Sequence, residues 1–343
     1  MALVVEATTT GFAVQEGPVN KLLSAIAMAG IGFGMLHGSD PAYAEEWPAR
    51  PVRAIIPFSA GSAVDTVPRL IFEALSSKLG QPVVVENRTG AGGTIGAGLV
   101  ARATPDGYTL LVNTSSHTVI PSLYPDISYD TLRDFTAVMP LGNLPEVLVV
   151  APSRGFKTLR DLIDAAKVKP GAISYASAGT GSAAHFAAER LRLSAGFEGV
   201  HVPFRGAPEA YREVIAGRVD FYYGAIASAL PLIRDGKLVA LAVSTRTRAS
   251  ALPDVPTTIE LGFPNSDYMF WIGMFAPRQT PRDVVEKLRR ETAATLHEGD
   301  MRAKLAKIGI DPMDMSPAAF DELIKAEIVA NAVVIKAANI RPE

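Results

Sequence analysis

Cysteine is absent from the 343 residues, which removes disulfides, thiolate nucleophiles and thiolate metal sites together. Charge of one sign is scarce as well: 33 basic residues stand against 35 acidic ones, a formal net charge of −2, and no run of like charge follows the chain. That balance argues against a nucleic-acid partner, which needs a basic stripe. The five histidines, His37, His117, His185, His201 and His297, lack the i, i+4 spacing that sets two imidazoles on one helix face. No GxxxxGK[ST] phosphate loop occurs either, so neither a metal nor a cofactor is expected. What remains is a chain with 48% hydrophobic and 20% charged residues, enough to bury the core of one large or two medium domains.

The N-terminus reads as a removable leader. Leu22–Leu36 is an apolar run of about 15 residues, short of the roughly 20 that span a bilayer. Lys21 precedes it and Ala42-Tyr43-Ala44 follows in the small-x-small form of a signal-peptidase site. Residues 1–44 are therefore expected to be a signal peptide cleaved after Ala44, with export to the periplasm. Its removal takes away one basic and three acidic residues and leaves the mature chain without net charge. Glu6 and Glu16 ahead of the only lysine are unusual in a leader, and a start near Val19 would look more ordinary.

From Pro51 onward short β-branched runs alternate with amphipathic stretches, the pattern of an α/β fold with parallel strands. Strands are expected at Arg53–Pro57, Val83–Glu86, Thr109–Asn113, Glu146–Ala151, Ile173–Ala176, Val200–Phe204, Asp220–Tyr223 and Leu238–Ser244. Helices are expected at Pro68–Leu79, Leu159–Lys167, Ala183–Ala195, Pro208–Ala216 and Ala229–Arg234, most of them stopping at glycine. After Phe275 only helical patterns follow. The division is two α/β lobes and a helical tail: 45–142 with 272–343 as one lobe, 143–271 as the other. Val138–Glu146 and Asp267–Phe275 are read as the crossing segments on which the lobes turn.

Three segments share one design, a strand that ends in a small-residue loop opening a helix: Pro57–Asp65, Asn87–Gly96 and Ser177–His185. Such loops suit anions, because a helix start leaves N–H groups unpaired, its dipole favours negative charge, and glycine permits close approach. In open α/β sheets the ligand crevice also lies beyond the carboxyl ends of the strands. Ser62 with Asp65 has capping-box spacing, so Asp65 is expected to shape its loop from behind. His185 either donates to a bound anion or fills the cleft wall, and Arg205 before Gly206 is placed to pair with a carboxylate. Two enzymatic readings use the same residues. Gly179-x-Gly181-x-x-Ala184 has dinucleotide spacing, with Arg205 about 20 residues on, where an NADP-dependent oxidoreductase holds a 2′-phosphate. Ser177 has part of a nucleophile elbow, with tyrosine replacing its first glycine.

Larger motifs then stand in register. Trp47-Pro48-x-Arg50-Pro51-Val52, Pro57-Phe58-x-Ala60-Gly61-x-x-x-Asp65, Val85-Glu86-Asn87-Arg88-x-Gly90-Ala91-Gly92-Gly93 and Pro105-Asp106-Gly107-Tyr108-Thr109-Leu110 lie in the first part. Tyr175-x-Ser177-x-Gly179-x-Gly181-Ser182-x-x-His185, Val202-Pro203-Phe204-Arg205-Gly206 and Leu252-Pro253-Asp254-Val255-Pro256-Thr257 lie in the second. Together they resemble the periplasmic substrate-binding receptors of tripartite tricarboxylate transporters, the Bug family, from about Trp47 to Ile340.

The resemblance implies a two-lobed periplasmic-binding-protein fold, type II-like, closing on a small carboxylate in the interlobe cleft. It implies a monomer that delivers its ligand to membrane permease subunits; presenting the ligand to a sensor is the alternative. Carried over, the ligand contacts fall on Phe58, Ala60, Gly61 and Ser62 in the first lobe, and on Ser177, Ala178, Gly179, Thr180, Ser182 and His185 in the second, with Arg205 and Gly206 beside them. Ser62 stands where the family usually has glycine. Pro68 replaces a small residue and is tolerable only if its helix starts near Asp65. The cleft-facing Tyr222–Ser228 carries no acid to neutralise an ammonium. Phe58, Phe204, Tyr222 and Tyr223 are available to line a slot. A dicarboxylate or an aromatic acid is therefore expected over an amino acid.

Overall fold

The computed structural model describes residues 46–342 apart from 125 and 312, together with Gly11. The expected signal segment and its Ala44 site lie outside the described residues. Among the described residues ten strands form two sheets of five. The first contains β1 (Val52–Ile56), β2 (Val83–Asn87), β3 (Thr109–Thr114), β4 (Phe135–Asn143) and β10 (Trp271–Pro277), in the order β2-β1-β3-β10-β4. The second contains β5 (Glu146–Val150), β6 (Ile173–Ser177), β7 (Gly199–Pro203), β8 (Phe221–Ala225) and β9 (Val239–Val243), in the order β7-β6-β8-β5-β9.

The two sheets repeat one plan. In each, three strands pair in parallel, β2-β1-β3 and β7-β6-β8, because a helix returns the chain between them. The strand that enters each lobe after a crossing, β5 or β10, then runs antiparallel to its neighbours. The expectation of parallel sheets is corrected by these two strands. β4 and β10 also correct the reading of Val138–Glu146 and Asp267–Phe275 as crossing segments alone, since most of both stretches is strand. Their apolar runs are buried on both faces and so lack the alternation that marks a half-exposed strand. The crossings themselves are short and adjacent: Leu144 donates its N–H to Phe270 O at 2.6 Å and Ile226 to Pro145 O at 2.8 Å.

Helices cover both sheets: α1 (Ala63–Leu79), α2 (Thr94–Ala101), α3 (Ile120–Leu123), α4 (Leu159–Val168), α5 (Ala183–Ala195), α6 (Ala207–Ile215) and α7 (Ile226–Arg234). The tail follows as α8 (Arg282–His297), α9 (Gly299–Lys307) and α10 (Pro317–Ala338). Glycines in the left-handed region end α1 at Gly80 and α5 at Gly196, where other residues are strained. α1 begins at Ala63, five residues before the expected Pro68, so Pro68 sits inside the helix and offers no N–H to the Val64 carbonyl. Its ring is buried, and packing of Val67, Ile71, Phe72 and Leu75 against the first sheet offsets the missing bond. Hydrophobic cores lie on both faces of the first sheet and through the second lobe. Among the described residues no helix is long and apolar enough to cross a membrane.

Candidate functional site

β1 ends at Ile56 and passes through Pro57-Phe58-Ser59-Ala60-Gly61-Ser62 into α1. Gly61 turns the chain at φ 78°, a region that disfavours a side chain. Its N–H is donated to Asp65 Oδ2 at 2.8 Å. The same carboxylate accepts Asn87 Nδ2 at 2.8 Å and Arg69 Nε at 3.0 Å, while Asn87 Nδ2 also reaches Phe58 O at 2.9 Å. Burial pushes the Asp65 carboxyl up, but the bonds from Arg69, Asn87 and Gly61 together hold it below the usual range. The loop is thus braced from behind by an anion on α1 and an amide at the end of β2. Its outer residues Ser59, Ala60 and Gly61 are exposed, and Phe58 is half-buried. Ser62 occupies the N-cap position without making a capping bond; its Oγ is buried and has no partner.

β6 passes into α5 in the same way. Ser177 is fully buried, its Oγ accepting the Gly179 N–H at 3.1 Å and meeting His201 Nε2 at 2.7 Å. The His201 ring stacks on His185 with centroids 3.7 Å apart and planes 10° from parallel. His185 Nδ1 accepts the Gly181 N–H at 3.2 Å, and Ser182 Oγ caps α5 by accepting the His185 N–H at 3.4 Å. Burial, followed by the charges of His201 and Arg192, lowers His185 to about 3, so the ring is neutral and Nδ1 keeps its lone pair. Beneath the stack, Tyr175 OH bonds to Glu189, which also pairs with Arg192 at 2.7 Å.

The two loops share a frame, Gly61-Ser62-Ala63-Val64-Asp65 and Gly181-Ser182-Ala183-Ala184-His185, in which the glycine N–H is held by the side chain four residues on. The acceptor is an anion in the first lobe and a neutral ring in the second. Ala178, Gly179 and Thr180 form the half-buried crest of the second loop. An added Cβ on Gly179 would approach Phe204 O at 3.7 Å, which sets Arg205 and Gly206 next to this loop. Arg205 is exposed, its N–H bonds Glu209 Oε2 at 3.2 Å, and its guanidinium has no ion pair among the described residues. Gly206 caps the start of α6. The third glycine loop, 87–96, packs on the first: an added Cβ on Gly96 would lie 2.9 Å from Pro57 Cβ.

The structure therefore gathers the sequence-predicted residues into two groups, Phe58 to Asp65 and Ser177 to Gly206. Within them Ser177, His185 and Asp65 stand behind the loop surface, not on it. Of the proposed slot residues, Tyr222 and Tyr223 are fully buried in the second sheet, which corrects their reading as a slot lining; Phe58 and Phe204 stay half-buried. Four residues carried no sequence signal of their role: His201, Arg69, Asn87 and Glu146. Glu146 is 2% exposed at the start of β5, with Oε2 unpartnered, and burial raises its carboxyl well above the ordinary range. An acid thus stands where the chain crosses between lobes, its carboxyl pushed by burial toward the neutral form.

Neither enzymatic alternative gains from the geometry. The Gly181 N–H, which a dinucleotide pyrophosphate would require, is turned to His185. Ser177 and His201 lie at nucleophile–base distance, but Ser177 has no solvent exposure and receives an N–H where attack would begin. What the loops offer is backbone N–H groups, hydroxyls and one free guanidinium, a set that binds and orients anions.

Known proteins agree with this design. The family model described as "Tripartite tricarboxylate transporter family receptor" matches residues 67–340. A UPF0065 protein in the tcbD-tcbE intergenic region of Pseudomonas sp. (strain P51) is 38% identical over 302 residues, 88% of this chain and 90% of that protein. The structure of R. palustris Rpa4515 with adipate is similar at TM-score 0.80 and 34% identity, covering 87% of this chain and 100% of that one. MatC (Rpa3494) from Rhodopseudomonas palustris with bound malate is similar at TM-score 0.76 and 34% identity, covering 84% and 99%. By family match, by identity along most of its length and by its two-lobed α/β fold, this chain belongs to the tripartite tricarboxylate transporter receptor family.

Proposed function

We propose that this protein is a periplasmic solute receptor that binds a small organic carboxylate between its lobes and delivers it to membrane permease subunits. The observation that carries the reading is the pair of Gly-Ser-Ala loops at the carboxyl ends of β1 and β6. Both open helices, both are braced from behind, and neither contains a lysine or arginine of its own. On this reading Phe58, Ala60, Gly61, Ser62, Ala178, Gly179, Thr180 and Ser182 form the binding surface, with Arg205 and Gly206 at its side. Asp65, Ser177 and His185 position it. The unpartnered Ser62 Oγ is a hydroxyl waiting for an acceptor. The lobes are 45–142 with 272–343, and 143–271; the mature chain starts at Glu45 and acts as a monomer.

A dicarboxylate is the favoured ligand class. Relatives of similar fold hold adipate and malate, and the burial of Tyr222 and Tyr223 leaves less ring surface for an aromatic acid. The decisive experiment is a thermal-shift screen followed by calorimetry with succinate, malate, adipate, benzoate and aspartate. A ligand at 100 times its dissociation constant adds about 2.7 kcal/mol of stability. Binding of a dicarboxylate in preference to aspartate supports the assignment; tighter binding of aspartate than of every amine-free acid overturns it.

A further inference from the structure

α10 is anchored in both lobes. Phe320 and Ile324 near its start pack with Trp271 and Phe275 on the first sheet, while Val334 near its end and Ile340 just beyond it join the core of the second lobe. At its middle Glu327 Oε2 lies 3.0 Å from Trp271 Nε1, on β10 of the first sheet, and 3.1 Å from Thr118 Oγ1, just beyond β3 of the same sheet. One turn on, Asn331 donates to Thr118 Oγ1 at 2.9 Å and accepts Arg190 from α5 of the second lobe at 3.2 Å. Arg190 also donates to Asp267 O at 2.9 Å and lies over the Tyr268 ring, and Tyr268 OH reaches back to Ser115 Oγ at 3.1 Å. A single polar chain thus runs from lobe to lobe beneath the helix.

The hydrogen positions are over-determined. Thr118 has one proton, and its shortest bond gives that proton to Ser115 O at 2.7 Å. The contact between Thr118 and Glu327 is then a hydrogen bond only when the carboxyl carries the proton. Few charges face it: Trp271 and Thr118 are uncharged, and His117 is buried and lowered to about 3. Tyr268 is raised further from ionising, and Lys325 and Glu322 on the same helix pair with each other at the exposed surface. The Trp271 N–H and the Arg190 charge favour ionisation, yet burial outweighs them and raises Glu327 to about 7. The Arg190 guanidinium is committed to Asn331 and Asp267, and its Nε has no partner.

We infer that α10 is a proton-sensitive strap between the lobes, in which protonated Glu327 holds the helix dry against Thr118 and Trp271 and ionised Glu327 releases it toward an arrangement that admits water. The physical reason is linkage: a proton held more tightly in this arrangement than in a wetter one must stabilise this arrangement. The receptor reading supplies only the use of the motion, since lobe separation governs ligand exchange.

The test needs no ligand. The chain has no native cysteine, so spin labels at Arg133→Cys and Val168→Cys, exposed positions on the two lobes, report the interlobe distance directly. Longer distances are expected to gain population as pH rises from 4.5 to 7 and to level off above it, by at most tenfold per pH unit for one proton. Glu327→Gln, which keeps a neutral side chain of the same shape, is expected to hold the low-pH distribution throughout. Thr118→Val, which removes the acceptor for the carboxyl proton, is expected to lower the pH at which the distances level off. A wild-type distribution that ignores pH, or a shift that persists in Glu327→Gln, overturns the inference. Failure of every carboxylate to bind would remove the receptor reading and leave this measurement standing.

Discussion

Gly181 gives its N–H to His185 Nδ1 at 3.2 Å, so the second loop is shaped by a neutral imidazole buried beneath it. Replacing His185 with alanine leaves that N–H without its acceptor and opens the stack on His201. Stability is expected to fall by about 1–3 kcal/mol, and carboxylate affinity by about tenfold, equivalent to roughly 1.4 kcal/mol. Denaturation and calorimetry measure the two separately; unchanged affinity would show that His185 does not position the loop.

The same residue sets a pH dependence. Its folded pKa of about 3 lies below the ordinary value of 6.5, so its stabilisation is complete above pH 6.5 and is lost as pH falls toward 3. His117, lowered to about 3 by burial, acts in the same window. Urea unfolding between pH 7 and 4 should show stability falling with acid, and His185→Ala should flatten the slope without abolishing it.

Glu327 acts with the opposite sign over pH 4.5 to 7. Its folded pKa is raised to about 7 from 4.5, so the folded state binds more protons than the unfolded chain and this contribution declines as pH rises through 7. In Glu327→Gln the fall in stability with acid should become steeper between pH 7 and 5, because the opposing slope is gone. An identical profile in the variant contradicts the proton assignment.

Two N-cap serines should respond differently to alanine. Ser182 caps α5, and its removal is expected to destabilise the fold by about 0.5–2 kcal/mol. Ser62 makes no cap bond, so Ser62→Ala should change stability by less than about 0.5 kcal/mol, yet weaken the ligand by about 0.5–1.5 kcal/mol. Calorimetry on both variants checks the pattern; a reversed order would move Ser62 off the binding surface.

Gly181 also faces the other lobe. Its φ is 82° and an added Cβ would stand 2.7 Å from Leu123 Cδ2 of the first lobe. Gly181→Ala therefore combines backbone strain with an interlobe clash and should destabilise by about 1–3 kcal/mol. Thermal denaturation provides the check.

Much of the fold was legible because its signals are local. The strands at Val83–Asn87 and Ile173–Ser177 sit between glycine-containing turns, and the loops after β1 and β6 are continuous in sequence. β4 and β10 were not legible as strands, since burial on both faces erases the period of two. The start of α1 was hidden for a different reason: Pro68 reads as a helix start, and only packing on the first sheet carries the helix through it.

The sequence alone determined the family, the three small-residue loops and the lack of any thiolate or paired-histidine site, because each rests on residue types in fixed order. Only the tertiary structure decided what those residues do. Ser62 and Ser177 look alike in a string, each a serine beside glycine and alanine, yet one hydroxyl is left without a partner and the other is consumed by His201 and Gly179. His185 and His201 are 16 positions apart in sequence and stack at 3.7 Å because β6 and β7 pair in parallel. Glu327 meets Thr118 across more than 200 residues. Burial and long-range contact set the charge, the donor role and the availability of these groups, and neither property is written in local sequence.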